Sequence, residues 1–491
     1  MYENELKNVQ FLMSCDIIVM KVGSCMDRKY LKYFEEWIAD PLRKPLIVYG
    51  ARQVGKTTLI RDIFAPLHFK KIIYIDFKVD VDERVYIKNH INPKNILDYL
   101  SIKNDITIDE DTLLIFDEVQ ECLPCLTSLK YFCEKYRHIP VIVTGSMIRT
   151  KIGFMKRRNG QLILDPEIDP KNQDGNNNYM FPTGKVNILN MYCMSFNEYL
   201  FNRNRSLYNL IEVSFKEKKT LDDETHSLAL SIVYEYLAIG GMPEAVDKYL
   251  TTRSFVQTRK TLRELYSRYI DDMVLFQISN ETLLRTRNVF ENIYKQLTKN
   301  NKNFKFSLIE KDKKYRDYYY ALEWLELGKI VYKSKQLKQR VTVPLLEDDN
   351  SLFRIYFSDV GLFSLQSGVG LETFLDDLKN KTLSGIFFEN FVAEELENRN
   401  INLFFWKGKT SSELEFVLDY KNVPTVIDVK KNKGSLDSLD KFREMNTKEL
   451  AIKISANKYG YNEEKKLLTL PFYYVGFFLD ENIEDIKISI E

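Results

Sequence analysis

Short apolar runs alternate with helical spacing over the first third of the chain. Residues 46–49, 113–116 and 141–143 are continuous apolar runs, and residues 71–77 form a further strand-like run with Asp76 near its end. Runs this apolar suit strands buried on both faces. Their alternation with helical segments predicts a parallel sheet covered by helices on either side. Residues 186–194 resume a strand pattern that permits a fifth strand of the same sheet. Before it, residues 27–37 show helical spacing, with Tyr30, Tyr33, Phe34 and Trp37 on one side, stopped by Pro41 and Pro45. Residues 157–184 are polar and rich in Asn, Asp, Gly and Pro, which predicts a long exposed loop.

From Ser195 onward the pattern turns helical. Residues 198–200, 228–239 and 262–276 carry helical periodicity, interrupted by the tight turn Gly240-Gly241-Met242-Pro243. Residues 306–339 read as helix, turn, amphipathic helix and a strand at 329–333, with Tyr319, Leu322, Leu325 and Leu327 facing a core. Helices followed by a short β wing predict a winged-helix-like module. Such a module can set a helix in a DNA groove, and it also serves as plain packing. Residues 353–365 lead into a last third with a helix at 389–396 and strands at 403–406, 413–418 and 425–430. The expected division is an extension at 1–25 and domains at 26–195, 196–350 and 351–491.

Composition narrows the class. The chain has 491 residues and a net charge of +1, a length that suits about three domains. Charge is segregated: residues 253–340 hold 20 Lys and Arg against 10 Asp and Glu. That bias suits a surface facing nucleic acid and equally a solvated helical face. No apolar run reaches the roughly 20 residues that span a bilayer. Residues 1–21 carry Glu3, Glu5 and Asp16 and lack a basic start, so they do not read as a signal peptide. The expectation is a cytoplasmic protein with no membrane partner. Cys122 and Cys125, with Cys133 and His138 beyond, are spaced superficially like a zinc site, but no second paired half exists and a helix is due there. Reduced thiols are the simpler reading.

The densest chemistry lies in Gly50-Ala51-Arg52-Gln53-Val54-Gly55-Lys56-Thr57, followed by Thr58. A glycine, four residues, then Gly-Lys-Thr between a strand and a helix is the phosphate-binding loop pattern. Its amides approach a phosphate at a positive helix end. Lys56 would reach the β- and γ-phosphates, and the Thr57 hydroxyl would bind Mg²⁺. The run at 113–116 ends in Asp117-Glu118, which places Asp117 at the Mg²⁺–nucleotide site and Glu118 beside the attacking water. The run at 141–143 ends in Thr144-Gly145-Ser146, a polar tip for the γ-phosphate.

Taken in order, GARQVGKTT at 50–58, LLIFDEVQ at 113–120, TGS at 144–146, GGMPEA at 240–245, IYFSDVGL at 355–362, GIFFENFVAEEL at 385–396 and ELEFVLDYKNVPTVIDVKK at 413–431 resemble one family. It is that of prokaryotic ATPases joining an AAA-type P-loop domain (AAA_14) to a C-terminal DUF4143 domain. The resemblance runs from about Met26 almost to the end, and such proteins begin a few residues before the first helix, which leaves Met1 and Met26 both open as the native start and residues 1–25 as an over-extended or accessory segment. It implies an α/β architecture: a P-loop ASCE parallel sheet domain, a helical lid with the winged-helix-like module, and a C-terminal restriction-endonuclease-like α/β domain. It implies ATP as the nucleotide and similarity to the STAND ATPases, in which a Gly-x-Pro turn packs near the adenine. Gly241-Met242-Pro243 would fill that role. The family often has Gly-Arg where this chain has Gly184-Lys185. Arg149 and Arg268 are candidate arginine fingers.

The resemblance also implies a PD-(D/E)xK-like C-terminal site. Glu389 on a helix, Glu415 on a strand, and Asp428 with Lys430 on the next strand follow its order. Spacing of two places Asp428 and Lys430 on one face. Carboxylates to hold Mg²⁺ and a lysine to steady charge suit nuclease chemistry, while the same pattern suits a charged surface strand. Glu415 stands where Asp is usual and Asp428 where Glu is usual. Three functions follow: a DNA-coupled ATPase, a slow ATP switch or scaffold that binds a protein partner, and a nuclease licensed by ATP.

Overall fold

The computed structural model describes residues 26–146, 155–158, 161–164, 181–275, 279–349, 352–380, 385–409, 412–431 and 435–486. Strands β1 (Leu46–Tyr49), β2 (Lys71–Asp76), β3 (Thr112–Asp117) and β4 (Val141–Thr144) lie in one parallel sheet with β7 (Asn187–Asn190), in the order β2-β3-β4-β1-β7. The fifth strand permitted by the pattern is thus an edge strand beside β1. Successive side chains point to opposite faces of a strand, and the sheet has an apolar core on each side. Leu46, Val48, Leu113, Ile115 and Ile142 pack on one face with helix Tyr30–Ala39. Ile47, Tyr49, Leu114, Phe116, Val141 and Val143 pack on the other with helix Leu123–Lys135.

Part of the expected loop at 157–184 is regular. Strands β5 (Met155–Arg158) and β6 (Gln161–Leu164) pair antiparallel, and residues 159–160 and 165–180 lie outside the described residues.

Beyond β7, the Ser195 hydroxyl accepts from the Glu198 amide and the Glu198 carboxylate accepts from the Ser195 amide, a reciprocal cap that starts helix Phe196–Arg203. Helix Asp223–Ile239 stops at Gly240, and Pro243 opens helix Pro243–Thr252, the position where its missing N–H costs nothing. Helices Phe255–Leu275, Asn280–Leu297 and Tyr315–Leu327 follow. Tyr319 is a correction: it is 42% exposed, and Tyr318, Ala321, Leu322 and Leu325 form the buried stripe. The helical repeat brings 318, 322 and 325 to one side, and 319 falls off it.

Strands β8 (Val331–Gln336), which overlaps the strand expected at 329–333, and β9 (Phe353–Phe357) pair antiparallel. They also join β10 (Phe404–Lys407) and β11 (Glu413–Leu414) in a four-stranded sheet, β11-β10-β8-β9, which crosses the expected boundary at 350. The strand expected at 413–418 breaks at Glu415. Its second half, β12 (Phe416–Tyr420), enters another sheet, β12-β13-β14-β16-β15, with β13 (Val423–Val429), β14 (Ala451–Ser455), β15 (Gly460–Asn462) and β16 (Leu467–Pro471). The β13–β14 and β14–β16 pairs are parallel, and the β12–β13 and β15–β16 pairs antiparallel. Helix Ile386–Glu397 is buried from Ile386 to Leu396, including Glu389, Asn390, Glu394 and Glu395.

Candidate functional site

Residues 50–57 form a loop between β1 and a helix wound in π turns over Thr58–Phe64 and continuing as Ala65–His68. Gly50 has φ 153°, and a Cβ there would stand 2.1 Å from the Met191 carbonyl oxygen, so only glycine fits. Lys56 is buried, and its ammonium donates to the carbonyls of Gly50 (3.0 Å) and Ala51 (2.8 Å). Burial pushes its pKa down to about 8, against the pull of Glu118 and Asp117.

Parallel register puts Asp76 beside Asp117 at the ends of β2 and β3. The Thr57 hydroxyl donates to Asp117 Oδ2 at 2.7 Å, and Tyr74 donates to the same oxygen at 3.0 Å. Asp117 Oδ1 accepts the Glu118 amide at 2.8 Å. Glu118 takes a left-handed φ of 50°, and its carboxylate accepts from Gln120. Burial, then the neighbouring Asp117 charge, raises its pKa. The Thr144 hydroxyl at the tip of β4 and the Gln53 side-chain oxygen are buried without a hydrogen-bond partner, which leaves polar atoms free for a ligand on this face. The sequence-predicted residues Lys56, Thr57, Asp117 and Glu118 are therefore gathered at one end of the sheet.

Two contacts around the loop, those of Arg28 and Asp272, had no motif to betray them, and a third is made by the motif residue Pro243. Arg28 donates to Val54 O (3.0 Å), Tyr192 O (2.8 Å) and Glu198 Oε1 (2.9 Å), binding the loop to the end of the sheet and to helix Phe196–Arg203. Arg52 pairs with buried Asp272 on helix Phe255–Leu275, and Tyr269 of that helix donates to Arg52 O at 2.9 Å. Pro243 lies over the loop: a Cβ at Gly55 would meet its Cγ at 3.6 Å. The turn before it is held tightly. Gly241 donates to Asp359 Oδ2 at 2.6 Å, Met194 donates to Gly241 O at 2.7 Å, and a Cβ at Gly241 would stand 2.0 Å from Met194 O. Asp359 is buried, which pushes its pKa up to about 6 against the amides of Leu362 and Gly241.

Lys185 pairs with Glu134 at 3.0 Å and Arg268 with Glu244 at 2.9 Å. Arg149 lies outside the described residues. Cys122, Cys125 and Cys133 are buried free thiols. Among the described residues no group of three or more His, Cys, Asp or Glu side chains is disposed to hold a metal ion, so the zinc-like spacing gathers no ligand set.

Glu389, Glu415, Asp428 and Lys430 do come together. Lys430 Nζ stands 2.7 Å from Asp428 Oδ1 and 3.5 Å from Glu415 Oε1. A fifth residue joins them from outside the expected domain: Lys302 pairs with Glu389 and lies 4.0 Å from Glu415. Burial raises the Glu389 carboxyl, with Lys302 opposing. Burial and the Glu415 charge push Asp428 up to about 7, while Lys430 and Lys302 outweigh burial at Glu415 and hold it low. The carboxylates are therefore met by ammonium groups, not disposed as a metal cage. Lys302 lies more than 80 residues from its partners and fits no motif.

Three family models match the chain. Residues 42–158 match the AAA domain model (AAA_14), residues 231–373 match a domain of unknown function (DUF8612), and residues 384–473 match another (DUF4143). Among solved structures, the chain is similar to the Walker-type ATPase PABY2304 of Pyrococcus abyssi, at 15% identity and TM-score 0.40 over 70% of this chain and 96% of that one. It is also similar to AMPPCP-bound DnaA from Aquifex aeolicus, at 12% identity and TM-score 0.26 over 62% and 90%. No curated protein matches. The chain carries an ATPase-type P-loop domain of the AAA group. It has the architecture that joins such a domain to a C-terminal DUF4143 domain.

Proposed function

We propose that this protein is a Mg²⁺-dependent ATP hydrolase whose nucleotide state is passed through the helical lid to a DNA-engaging C-terminal region. The observation that carries the reading is the convergence of Lys56, Thr57, Asp117 and Glu118, with the Thr57–Asp117 hydrogen bond at 2.7 Å joining the loop to β3. A hydroxyl and a carboxylate meeting in this way form a donor set suited to Mg²⁺. Thr57 and Asp117 would hold the ion, which when bound neutralises charge on the β- and γ-phosphates.

The chain's own groups supply the rest. The amides of Gly50, Arg52, Gln53, Val54, Gly55, Lys56, Thr57 and Thr58 cradle the phosphates. The Lys56 ammonium leaves its two carbonyl partners for the triphosphate. Glu118, made more basic by burial and Asp117, accepts a proton from the attacking water. Thr144 faces the γ-phosphate, and Pro243 lies against the base. Transfer then rests on positioning and charge. DNA is the proposed partner because residues 253–340 are strongly basic.

A second reading is a slow ATP-dependent switch that binds a protein and cuts nothing. The lysine-filled carboxylate cluster favours it, because two ammonium groups already compensate those acids.

The test is Mg²⁺-dependent ATP hydrolysis with and without duplex and single-stranded DNA, in wild type, Lys56→Ala and Glu118→Gln, with the DNA run on a gel. The expected result is DNA-stimulated turnover that falls by about 10²–10⁴ in Glu118→Gln with nucleotide binding kept, and loss of both in Lys56→Ala. Turnover indifferent to DNA, with DNA uncut, turns the conclusion to the switch. Turnover unchanged in Glu118→Gln removes Glu118 from the mechanism.

A further inference from the structure

Lys302 sits in the loop after helix Asn280–Leu297, and that loop is firmly built. Lys305 N donates to Gln296 Oε1 at 2.7 Å, Gln296 Nε2 donates back to Lys305 O at 3.2 Å, and Phe304 N donates to Phe353 O at 2.8 Å. Anchored on both sides, the loop sends Lys302 into the cluster with its side chain 19% exposed. There it meets acids from two elements, Glu389 on helix Ile386–Glu397 and Glu415 between β11 and β12, while the third acid, Asp428 on β13, is held by Lys430.

The cluster is compensated but not saturated. Lys302 and Lys430 pair directly with the three carboxyl groups, and buried Arg354, itself paired with Glu413, adds a more distant positive charge that favours the ionised forms of Glu389 and Glu415. Glu389 is 5% exposed, and its Oε2 is buried with no hydrogen-bond partner. A buried carboxylate oxygen left unmatched is costly and offers a place for another donor or cation. A divalent ion drawn to Glu389 and Glu415 would meet the Lys302 ammonium that already pairs with both, and like charges cannot share that place.

We propose that Lys302 is a built-in cation that keeps this cluster in a metal-excluding form, and that a divalent cation reaches Glu389, Glu415 and Asp428 only when Lys302 swings out. The inference rests on the reading of these acids as the site of a nuclease-like domain. It adds that the site is closed by a residue from the helical module, outside the DUF4143 match at 384–473.

The experiment is a Mn²⁺ titration of the nucleotide-free full chain, with free Mn²⁺ read by electron paramagnetic resonance. Wild type is compared with Lys302→Met, Lys302→Gln, Lys302→Arg, Asp428→Asn and Lys302→Met/Asp428→Asn, and thermal melts check folding. The expected result is one additional Mn²⁺ site in Lys302→Met or Lys302→Gln, bound about tenfold or more tighter than wild type manages there. Lys302→Arg should gain nothing, and Asp428→Asn should erase the gain. Lys302→Gln keeps a hydrogen-bond donor for Glu389 and serves if the Met variant does not fold. Equal Mn²⁺ binding in wild type and the neutral variants, lowered in both by Asp428→Asn, overturns the gate and leaves the acid-site reading standing. No gain in any variant and no effect of Asp428→Asn overturns both.

Discussion

At the scale of single residues, Lys56 carries the most chemistry for its size. Its ammonium is buried, with a pKa pushed down to about 8. Nucleotide phosphates would favour the charged form and raise that value. Below pH 8 the free protein already holds the proton, and ATP affinity should be nearly flat. Above pH 8 binding must take up a proton, and log affinity should fall by up to about one per pH unit. ATP affinity measured by calorimetry from pH 7 to 9.5 checks this. A flat profile would mean that Lys56 stays charged without nucleotide. Glu118 is the complementary case, a carboxyl raised by burial and by Asp117, as suits a base that must accept a proton.

At the scale of elements, helix Phe255–Leu275 is placed to sense the loop. Its Asp272 pairs with Arg52, and its Tyr269 holds Arg52 O. On the same face, one turn before Tyr269, Tyr266 stacks on Phe290 of helix Asn280–Leu297 at 4.9 Å, the helix that leads to Lys302. Asp272→Asn removes the charge and keeps the shape. Because a clamp between a lid and a ligand loop acts mainly on dissociation, this variant should release a fluorescent ADP analogue faster, by about threefold to tenfold. Stopped-flow displacement reads the rate. An unchanged rate would make the pair a packing contact. The turn at 240–243 is a second link. Its Gly241 amide ends on Asp359, and Glu394 of helix Ile386–Glu397 accepts from Tyr236 (2.8 Å) and Val360 N (3.0 Å). Glu389 lies on that same helix.

At the scale of the whole molecule, one apolar core runs from the P-loop sheet through Tyr236 and Phe391 to Phe472 and Tyr474. A shared core makes a change at one end felt at the other, since close-packed interiors transmit strain. Charge is the other property of this scale. If the basic stretch at 253–340 tracks a DNA backbone, log affinity should fall linearly with log salt, losing about tenfold or more between 50 and 200 mM. Fluorescence anisotropy with a labelled duplex measures the slope. A slope near zero would remove the phosphate backbone as the partner of that stretch. Among the described residues no helix is long and apolar enough to cross a membrane.

The strands of the P-loop sheet and the residues at their tips were legible in the chain, because a phosphate-binding loop is local: glycine spacing, an apolar run before it and a helix after it all lie within a few residues. The acid order Glu389, Glu415, Asp428 and Lys430 was legible too, through short motifs and the two-residue period of a strand. What only the tertiary structure decided is who neutralises whom. Arg28, Asp272, Asp359 and Lys302 act through space across long separations, and an isolated charged residue carries no local pattern that names its partner. The break at Glu415 and the joining of β8 and β9 to β10 were likewise invisible, because strand pairing is a long-range choice made by packing. Local chemistry could thus be read from order along the chain, while the closing of the carboxylate cluster by Lys302 could be seen only once distant segments shared one interior.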